Sequence, residues 1–370
     1  MIVDYRPLAV TSRGSMTTFA VKGFLGTIRA GALIALAFST AAIAAPPKIP
    51  QTMRAIRTDA TGAPGAVKLE TVPVPQPAEG QVLLRVYAAG TNPVDWSIRA
   101  PTPAGSQAAA APPQRAAPPP GRDVAGVIVA LGSGVSGYQV GDKVYTALAG
   151  GGAYAQYAVA TATELAVKPQ KFTFEQAAGI PIAGYTGLRM VVMADLKPGE
   201  RVLIIGAAGG VGSTAVQAAR ATGAHVIAVA SSHHEQYLEA LGAQEIINYD
   251  KEKVAEKAKA VAVVLNTVGT ENANALTYVQ PGGLVLDASG QVDEKACAAA
   301  RVTCIHVVRQ GLSNAELLKR LTQMADEGKY SVKVEKSFPL AKTADALSYG
   351  RTGDREGKVI IDVHKDAKKS

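Results

Sequence analysis

The stretch Arg201–Arg220, RVLIIGAAGGVGSTAVQAAR, decides the fold class of this 370-residue chain. Its first part, Val202–Ile205, is a short apolar run rich in β-branched residues, which is typical of a buried parallel strand. A cluster of glycines follows, and the Ala-rich segment Ser213–Arg220 then favours a helix. A strand, a glycine turn and a helix in this order predict an α/β fold with a doubly wound parallel sheet.

The glycine cluster predicts a phosphate-binding turn. In the pattern A-x-G-x-x-G it places Ala207, Gly209 and Gly212 between the strand and the helix, and Gly210 and Val211 complete the turn. Because these residues have small side chains or none, a pyrophosphate can approach the backbone, and the helix N-terminus stabilises its charge. The alternative is a tight turn of any α/β protein. A Walker-type loop is excluded because no Lys follows the final glycine.

The end of the next strand indicates which dinucleotide would bind. The strand is predicted at His225–Ala230, and Ser231–His234 (SSHH) follows it. An NAD-binding fold usually has Asp or Glu here, which holds the ribose 2′-hydroxyl. No acidic residue stands here to repel a 2′-phosphate, and Ser231 and His234 offer it hydrogen-bond donors. NADPH is therefore the predicted cofactor, and a polar loop without a phosphate role is the alternative.

The N-terminus has the features of a secretory signal peptide. Lys22 and Arg29 precede an uncharged apolar run, Gly31–Ala45, which ends in small residues. The run is shorter than the roughly 20 apolar residues that a membrane span needs. Residues 1–45 are therefore predicted to be cleaved after Ala44, leaving no stable span and a periplasmic or secreted protein. The alternatives are an uncleaved anchored tail, a misread upstream extension, and a cytoplasmic location.

Composition predicts a globular protein with a sizeable core. Hydrophobic residues make up 48% of the chain and charged residues 18%, which excludes wholesale disorder. The net charge of +8 is spread along the chain, apart from a basic tail. No basic stripe is interleaved with aromatic residues, so a nucleic-acid partner is not expected. The expected partner is a small-molecule substrate.

The two cysteines, Cys297 and Cys304, have no CxxC spacing and no neighbouring histidine cluster, so no zinc site is expected from them. On one continuous helix they would lie about 10 Å apart, which is too far for a disulfide. A corner between a helix and a strand would bring them together. Two buried free thiols are the expected state.

The periodicity of the chain separates two kinds of structure. Before residue 174, strands alternate with Pro/Gly turns, and Pro101–Pro120 is an Ala/Pro-rich loop without periodicity. After it, helices are predicted at 174–195, 213–222, 234–241, 271–279 and 315–327. Strands are predicted at 202–205, 225–230, 245–248, 261–265, 284–288 and 358–363.

Four segments together resemble one known family. They are NPVDW (Asn92–Trp96), GRDVAGVIVALGSGVSGYQVGDKVY (Gly121–Tyr145), GGAYAQY (Gly151–Tyr157) and RVLIIGAAGGVG. They resemble medium-chain dehydrogenases/reductases of the quinone oxidoreductase and enoyl reductase branch, from about Met53 to Val363. The resemblance implies a GroES-like, β-rich catalytic domain at 53–175 and 313–370, and a Rossmann NADP-binding domain at 176–312. It also implies an active site between them and a possible homodimer.

Two departures separate this chain from the zinc-dependent members. Arg122 and Asp123 follow Gly121 where those members have Gly-His-Glu, and Asn92 stands where they have a cysteine before Asp95. Arg cannot ligate a metal and Asn is a poor ligand, so no metal is expected. Without a Lewis acid, hydride transfer from NADPH suits an acceptor that is already electrophilic. Hydrogen-bond donors near the oxygen of a quinone or an α,β-unsaturated carbonyl would suffice.

Two other functions remain open. One is an exported protein that binds a nucleotide or another ligand on a reductase fold with little catalysis, since fold alone does not settle function. Compartments outside the cytoplasmic membrane are not expected to supply NADPH, which conflicts with the predicted signal peptide. The other is a zinc-independent reductase of simple carbonyls.

The resemblance also implies positions for the catalytic residues. Asn92 and Asp95 would lie beside the nicotinamide, with Thr186 near it at the domain junction, and Tyr154 would be a hydroxyl donor. The alternatives are that Asn92 and Asp95 only cap a turn and that Tyr154 belongs to the core.

On the cofactor side, the resemblance implies that Tyr249 and the residue at position 234 contact the 2′-phosphate. Family members often have Lys where this chain has His234. Lys358 matches a family position close to the cofactor, and a solvated strand lysine is the alternative.

Overall fold

The computed structural model describes residues 49–58, 67–96, 119–258, 261–269, 272–289, 293–307, 311–353 and 355–364. The predicted signal peptide and nearly all of the predicted loop Pro101–Pro120 lie outside these residues. Within the described ranges, no helix combines the length and the apolar character that crossing a membrane requires.

Strands predominate before α2, and from α3 onward helices and strands alternate. The strands are β1 (Thr52–Thr58), β2 (Val67–Pro73), β3 (Gln81–Gly90), β4 (Asp123–Leu131), β5 (Lys143–Ala147), β6 (Tyr157–Thr161), β7 (Ala166–Val167), β8 (Arg201–Ile205), β9 (His225–Ala230), β10 (Glu245–Asn248), β11 (Val261–Asn266), β12 (Val279–Asp287), β13 (Thr303–His306), β14 (Val334–Pro339) and β15 (Lys358–Asp362). The helices are α1 (Pro93–Trp96), α2 (Phe174–Ala178), α3 (Pro181–Ala194), α4 (Gly210–Ala221), α5 (Glu235–Leu241), α6 (Val254–Lys257), α7 (Asn272–Tyr278), α8 (Glu294–Ala300), α9 (Asn314–Asp326) and α10 (Thr343–Arg351).

The Rossmann-type sheet is parallel throughout and has the order β10-β9-β8-β11-β12-β13. Its central strand β8 is buried on both faces. Val202 and Ile204 pack into one apolar cluster, while Leu203 and Ile205 pack into another on the opposite face. A strand covered on both sides has a continuous apolar sequence rather than an alternating one. The predicted doubly wound parallel sheet is confirmed.

The second sheet is mostly antiparallel and has the order β14-β15-β3-β4-β5-β7, with β6 also paired to β3. Strand β15, near the C-terminus, pairs antiparallel with β3, placing Ile361 opposite Ala89. Strands from both ends of the described chain therefore build one sheet, and the GroES-like part of the predicted fold is confirmed. The short strands β1 and β2 form a separate antiparallel pair.

The predicted helix at 174–195 is wrong in one respect, because it is two helices. Helix α2 is capped by Thr173 and packs against β3 and β4, whereas α3 starts at Pro181 and packs against α4. Proline is favoured at the first helical position, since the missing N–H would have no intrahelical acceptor there. Gly179 and Ile180 separate the two helices. The domain boundary expected at 175/176 stays a prediction.

The prediction of two free thiols is also wrong, because Cys297 and Cys304 form a disulfide. Cys297 lies in α8 and Cys304 in β13, with their Cα atoms 6.1 Å apart. The chain reverses at Arg301, whose φ of 57° is left-handed, and the Val302 N–H then donates to the Cys297 carbonyl. The helix ends before the second cysteine, so the helical spacing that would keep the sulfurs apart does not apply.

Candidate active site

A cleft of about 1060 Å³ lies at the carboxyl ends of the parallel strands, where doubly wound sheets bind their ligands. The mostly antiparallel sheet closes its other side. The glycine turn contributes Ala208, Gly209, Gly210 and Val211 to the lining. The carboxyl ends of the parallel strands and the residues after them contribute Ile205, Ala230, Ser231, Thr267 and Val268. The part of the chain around the second sheet contributes Thr91, Asn92, Pro93 and Lys358.

The residues of the glycine turn divide into two roles. Gly209, Gly210 and Val211 line the cleft at the start of α4, whose first N–H groups lack intrahelical acceptors. Gly212 faces the sheet instead, because an added Cβ would lie 2.2 Å from the Gly206 carbonyl oxygen. Ala207 is fully buried beside it. The first set offers bare backbone to an anion, and the second allows the helix to approach the strand, which fits a dinucleotide pyrophosphate.

The predicted 2′-phosphate residues lie together at one end of this cleft. Ser231, His234 and Tyr249 all line it, although they come from two strand ends and a turn. The His234 side chain is buried, with Nδ1 3.2 Å from Glu356 Oε1, whereas Tyr249 is 57% exposed. The structure therefore brings the three predicted residues together, and it adds an acidic neighbour that sequence reasoning missed.

Lys358, which also lines the cleft, is the centre of a buried polar cluster. Its Nζ donates to the Thr91 carbonyl at 2.7 Å and to Asn92 Oδ1 at 2.6 Å, and it lies 3.6 Å from Asp123 Oδ2. Burial lowers the pKa of Lys358, although Asp123 and Asp95 partly oppose this shift. Burial likewise raises the pKa of Asp123 to about 6, because the charge of Lys358 only partly offsets the loss of water. Lys358 is thus a buried ion-pair partner, not a solvated strand lysine.

Asp95 joins the turn at Asn92 to the core. One of its oxygens, Oδ2, accepts hydrogen bonds from the Tyr154 hydroxyl at 2.8 Å and from the Asn92 backbone N–H at 2.8 Å. Burial raises the pKa values of both Asp95 and Tyr154. Tyr154 is 1% exposed and lies outside the residues that line the cleft. The prediction that the Tyr154 hydroxyl faces the substrate is therefore wrong. The hydroxyl donates its hydrogen bond to Asp95, and through Asp95 the Tyr154 side chain holds the turn at Asn92 in place.

Thr186 also lies outside the cleft lining, as do the predicted Asp95, Tyr154, Ala207 and Gly212. Thr186 lies half-buried in α3, whereas Ile182 and Ala183, one turn earlier, line the cleft. Sequence reasoning also missed Thr267, which directly follows β11. Its signal was present, because residues that follow parallel strands collect at the ligand-binding edge.

Among the residues that the structure describes, no group of three or more His, Cys, Asp or Glu side chains is arranged to hold a metal ion. The exposed Arg122 precedes the buried Asp123, whose Oδ1 accepts a hydrogen bond from the Ile182 N–H at 3.1 Å. The acidic groups nearest the cleft are thus already engaged by lysine, tyrosine and amide donors.

Known families match both parts of the chain. The model of the alcohol dehydrogenase GroES-like domain matches residues 78–170, and the model described as zinc-binding dehydrogenase matches residues 241–361. The NADPH-dependent alkenal/one oxidoreductase of Arabidopsis thaliana is 34% identical over 332 residues, covering 86% of this chain and 82% of the relative. The 2-methylene-furan-3-one reductase of Solanum lycopersicum is 35% identical over 326 residues, covering 85% of this chain and 80% of the relative.

Solved structures agree with this assignment. The quinone oxidoreductase from Coxiella burnetii superposes with a TM-score of 0.75 at 29% identity, covering 84% of this chain and 99% of that one. Motifs, fold and relatives agree that the chain belongs to the medium-chain dehydrogenase/reductase superfamily, in its branch of quinone oxidoreductases and enoyl reductases.

Proposed function

We propose that this oxidoreductase transfers hydride from NADPH, without zinc, to a quinone or an α,β-unsaturated carbonyl. The observation that carries the proposal is the single cleft that joins the glycine turn to the buried cluster of Asn92 and Lys358. Relatives named for NADPH-dependent alkenal/one reduction and for quinone reduction support the same chemistry.

The cleft has a place for each part of NADPH, which supplies the hydride when bound. Gly209–Val211 would hold the pyrophosphate at the N-terminus of α4. Ser231, His234 and Tyr249 would hold the 2′-phosphate, which leaves the end beside Asn92 for the nicotinamide. Val229, Ala230 and Ser231 carry no carboxylate that would repel the 2′-phosphate, although Glu252 also lines the cleft and Glu356 lies beside His234.

Zinc independence is supported by the chemistry of the donor set. Asn92 Oδ1 already accepts a hydrogen bond from the Lys358 ammonium at 2.6 Å. A zinc ion bound to the same oxygen would lie beside that ammonium and be repelled by it. Arg122, at the second former ligand position, has no lone pair to offer a metal.

Lys358 and Asn92 would stabilise the acceptor during reduction. Hydride addition to a conjugated acceptor places negative charge on its oxygen, and preorganised cations and amide donors stabilise such charge. Lys358 and Asn92 are held in one arrangement by Thr91, Asp95 and Asp123, so little reorganisation is needed. The apolar Ile182, Ala183 and Val268 on the same walls would exclude water.

Stopped-flow mixing of the purified protein with NADPH and a panel of quinones and conjugated enones tests the proposal. We expect NADPH oxidation that requires a conjugated acceptor and is unchanged by exhaustive chelation. Elemental analysis should find no stoichiometric zinc. Activity lost on chelation would refute zinc independence. Tight NADPH binding without turnover on any acceptor would instead favour a ligand-binding protein on a reductase fold.

We also propose that the chain is exported after cleavage near Ala44. The disulfide between Cys297 and Cys304 supports this, since disulfides persist mainly in oxidising compartments. N-terminal sequencing of protein from the native host tests the proposal, with Ala45 or Pro46 expected as the first residue. An intact N-terminus on a cytosolic species would contradict export and remove the conflict over NADPH supply. The homodimer implied by the resemblance stays a prediction, to be tested by light scattering.

A further inference from the structure

We propose that Asp287 is a positioning residue for hydride transfer. It acts through Asn266 on the wall formed by Thr267 and Val268, which follow β11 and line the cleft. This wall would hold the nicotinamide of NADPH at the distance and orientation that transfer to the acceptor needs. The inference rests on the proposed function and adds to it the residues that fix the geometry of the transfer.

The wall lies in the half of the cleft that the nicotinamide would occupy. In a doubly wound sheet, a dinucleotide crosses the point where the strand order reverses, which is here between β8 and β11. Ser231 and Tyr249 follow β9 and β10, so the proposed 2′-phosphate site assigns the adenosine to that half. Thr267 and Val268 follow β11, on the other side of β8, and therefore face the remaining half of the dinucleotide.

A chain of hydrogen bonds runs from the wall to Asp287. The Val268 N–H donates to Asn266 Oδ1 at 3.2 Å, and Asn266 Nδ2 donates to Asp287 Oδ2 at 2.7 Å. The other carboxylate oxygen, Oδ1, accepts from the N–H and the hydroxyl of Ser289 at 2.8 and 2.6 Å. Asn266 is fully buried and Asp287 is 3% exposed, and neither lines the cleft. Both therefore act on a ligand only through the wall.

The register of the parallel sheet brings the two side chains together. Asn266 ends β11 and Asp287 ends β12, and the two residues lie opposite one another in the strand pair. The Ala288 N–H donates to the Asn266 carbonyl at 2.9 Å, and the Val307 N–H donates to the Asp287 carbonyl at 2.8 Å. Because the sheet fixes the backbone up to Asn266 and Asp287, the side-chain bonds act on the residues that follow.

The ends of this hydrogen-bond chain fix its direction. A backbone N–H can only donate, and a carboxylate can only accept. The Asn266 amide must therefore turn its oxygen to Val268 and its NH2 group to Asp287. An amide at position 287 would place an NH2 group against another donor, either at Asn266 or at Ser289. One bond of the chain would then be lost.

The wall has little room to move. The Thr267 hydroxyl donates to the Ile205 carbonyl at 2.7 Å. A Cβ on Gly206, the residue that follows β8, would lie 2.5 Å from both Thr267 Oγ1 and Val268 Cγ2. The wall therefore packs directly on the start of the glycine turn, and a shift of Val268 would change the space left for the nicotinamide. A misplacement of about 1 Å can slow a reaction by about 100-fold.

Exchanging the two side chains tests the inference. Asp287→Asn breaks one bond of the chain, and Asn266→Asp breaks one by placing two carboxylates against each other. In the double variant, the carboxylate at position 266 accepts from the Val268 N–H and from the amide at position 287. The oxygen of that amide accepts from Ser289. Each side-chain bond described above is then present again, with the negative charge moved from one strand end to the other.

Hydrogen–deuterium exchange of the protein without cofactor measures the wall directly. We expect the peptide that contains Val268 to exchange faster in each single variant and to regain its protection in the double variant, because the Val268 N–H is the first donor of the chain. Circular dichroism checks that each variant folds. Ser289→Ala removes only one donor to Asp287, should cause a smaller change, and replaces a single exchange that does not fold.

Single-turnover stopped-flow mixing with NADPH, or with NADPH deuterated at C4, and a conjugated enone measures the transfer. We expect each single variant to slow hydride transfer by about 10- to 100-fold, with a full isotope effect. The NADPH dissociation constant should be nearly unchanged, because the adenosine half of the cleft is untouched. The double variant should recover most of the lost rate, which a cycle of the four proteins expresses as coupling between the two positions.

Gln217→Glu is the matched control for a merely structural loss. Gln217 is also a buried amide that bonds at both ends, accepting from the Ser331 N–H at 2.8 Å and donating to the Ser331 carbonyl at 3.1 Å. It lies on α4, outside the cleft lining. The substitution should lower the thermal midpoint and leave the transfer rate of the folded protein unchanged.

Three results would overturn the inference. They are single variants that lose stability but transfer hydride at the wild-type rate, losses confined to NADPH affinity, and a folded double variant without recovery. A wild type that binds NADPH but reduces no acceptor would refute the proposed function and, with it, the positioning of a hydride donor.

Discussion

Asp123→Asn should change how the stability of the protein depends on pH. Asp123 is fully buried, accepts a hydrogen bond from the Ile182 N–H at 3.1 Å, and lies 3.6 Å from Lys358 Nζ. Asparagine has nearly the same shape and keeps an oxygen for Ile182. It cannot take up a proton. The substitution therefore isolates the titration of one buried carboxyl.

The expected magnitude follows from the raised pKa. Burial moves the pKa of Asp123 from 3.8 to about 6. Between these values the folded protein holds a proton that the unfolded chain has released. The contribution of Asp123 to the free energy of unfolding is therefore largest below about pH 4 and falls as the pH rises through about 6. A difference of about two pKa units corresponds to about 3 kcal/mol.

Urea denaturation followed by circular dichroism, from about pH 4 to about pH 7, measures this contribution. The free energy of unfolding of the wild type minus that of Asp123→Asn should fall by about 3 kcal/mol over this range. Asp250→Asn is the control with the opposite sign, because hydrogen bonds from Ser232 lower the pKa of the exposed Asp250. A wild-type-minus-variant difference that stays constant with pH would refute the account of Asp123.

Three further predictions follow from the cleft and its surroundings. Tyr154→Phe removes a hydrogen bond to the buried Asp95 and should lower the free energy of unfolding by about 1–3 kcal/mol in urea denaturation; unchanged stability would contradict the role of Tyr154 in holding the turn. Ser231→Asp should weaken NADPH binding and leave NADH binding nearly unchanged in fluorescence titrations, because a carboxylate would repel the 2′-phosphate; an equal effect on both cofactors would contradict that placement. Replacing Cys297 and Cys304 together by serine should cost about 2 kcal/mol, seen as a lower thermal midpoint, and the oxidised wild type should contain no free thiol in a denaturing thiol assay.

The parallel sheet was predictable because its signals are local. The strands His225–Ala230 and Glu245–Asn248 have the predicted bounds. Their β-branched and apolar residues are bounded by polar or glycine-containing segments, although β10 is mostly only partly buried. The glycine turn was predictable for the same reason, since Gly212 is required by backbone distances within one turn. In these regions, sequence neighbours determine the structure.

The errors arose where a local pattern continues across a break. Helical periodicity runs from Phe174 to Asp195, but Pro181 starts a new helix, which packs mainly against α4 and α9. The two cysteines were judged by helical spacing, yet the helix ends before Cys304 at the left-handed Arg301. Both features depend on where a helix stops, which apolar periodicity alone does not determine.

The buried cluster was only partly predictable, because tertiary contacts create it. Asn92, Asp95 and Lys358 were found through the resemblance, but the pairing of Lys358 with Asp123 joins strands from opposite ends of the chain. Glu356 was missed because its meeting with His234 depends on a contact 122 residues apart in sequence. Composition near either residue carries no signal for such a pairing.

The position of β15 has a consequence for how the protein is made. Lys358, at its first residue, reaches Asn92 across 266 positions of sequence, and the strand pairs with β3 on one side and β14 on the other. During synthesis, β8–β13 can assemble as soon as they leave the ribosome, and β3 can pair early with β4 and β6, but its last residues, Ala88 to Gly90, must wait for β15. We therefore expect nascent chains that lack β15 to expose an unpaired edge, and a chaperone or a misfolded neighbour to compete for it before the cleft exists.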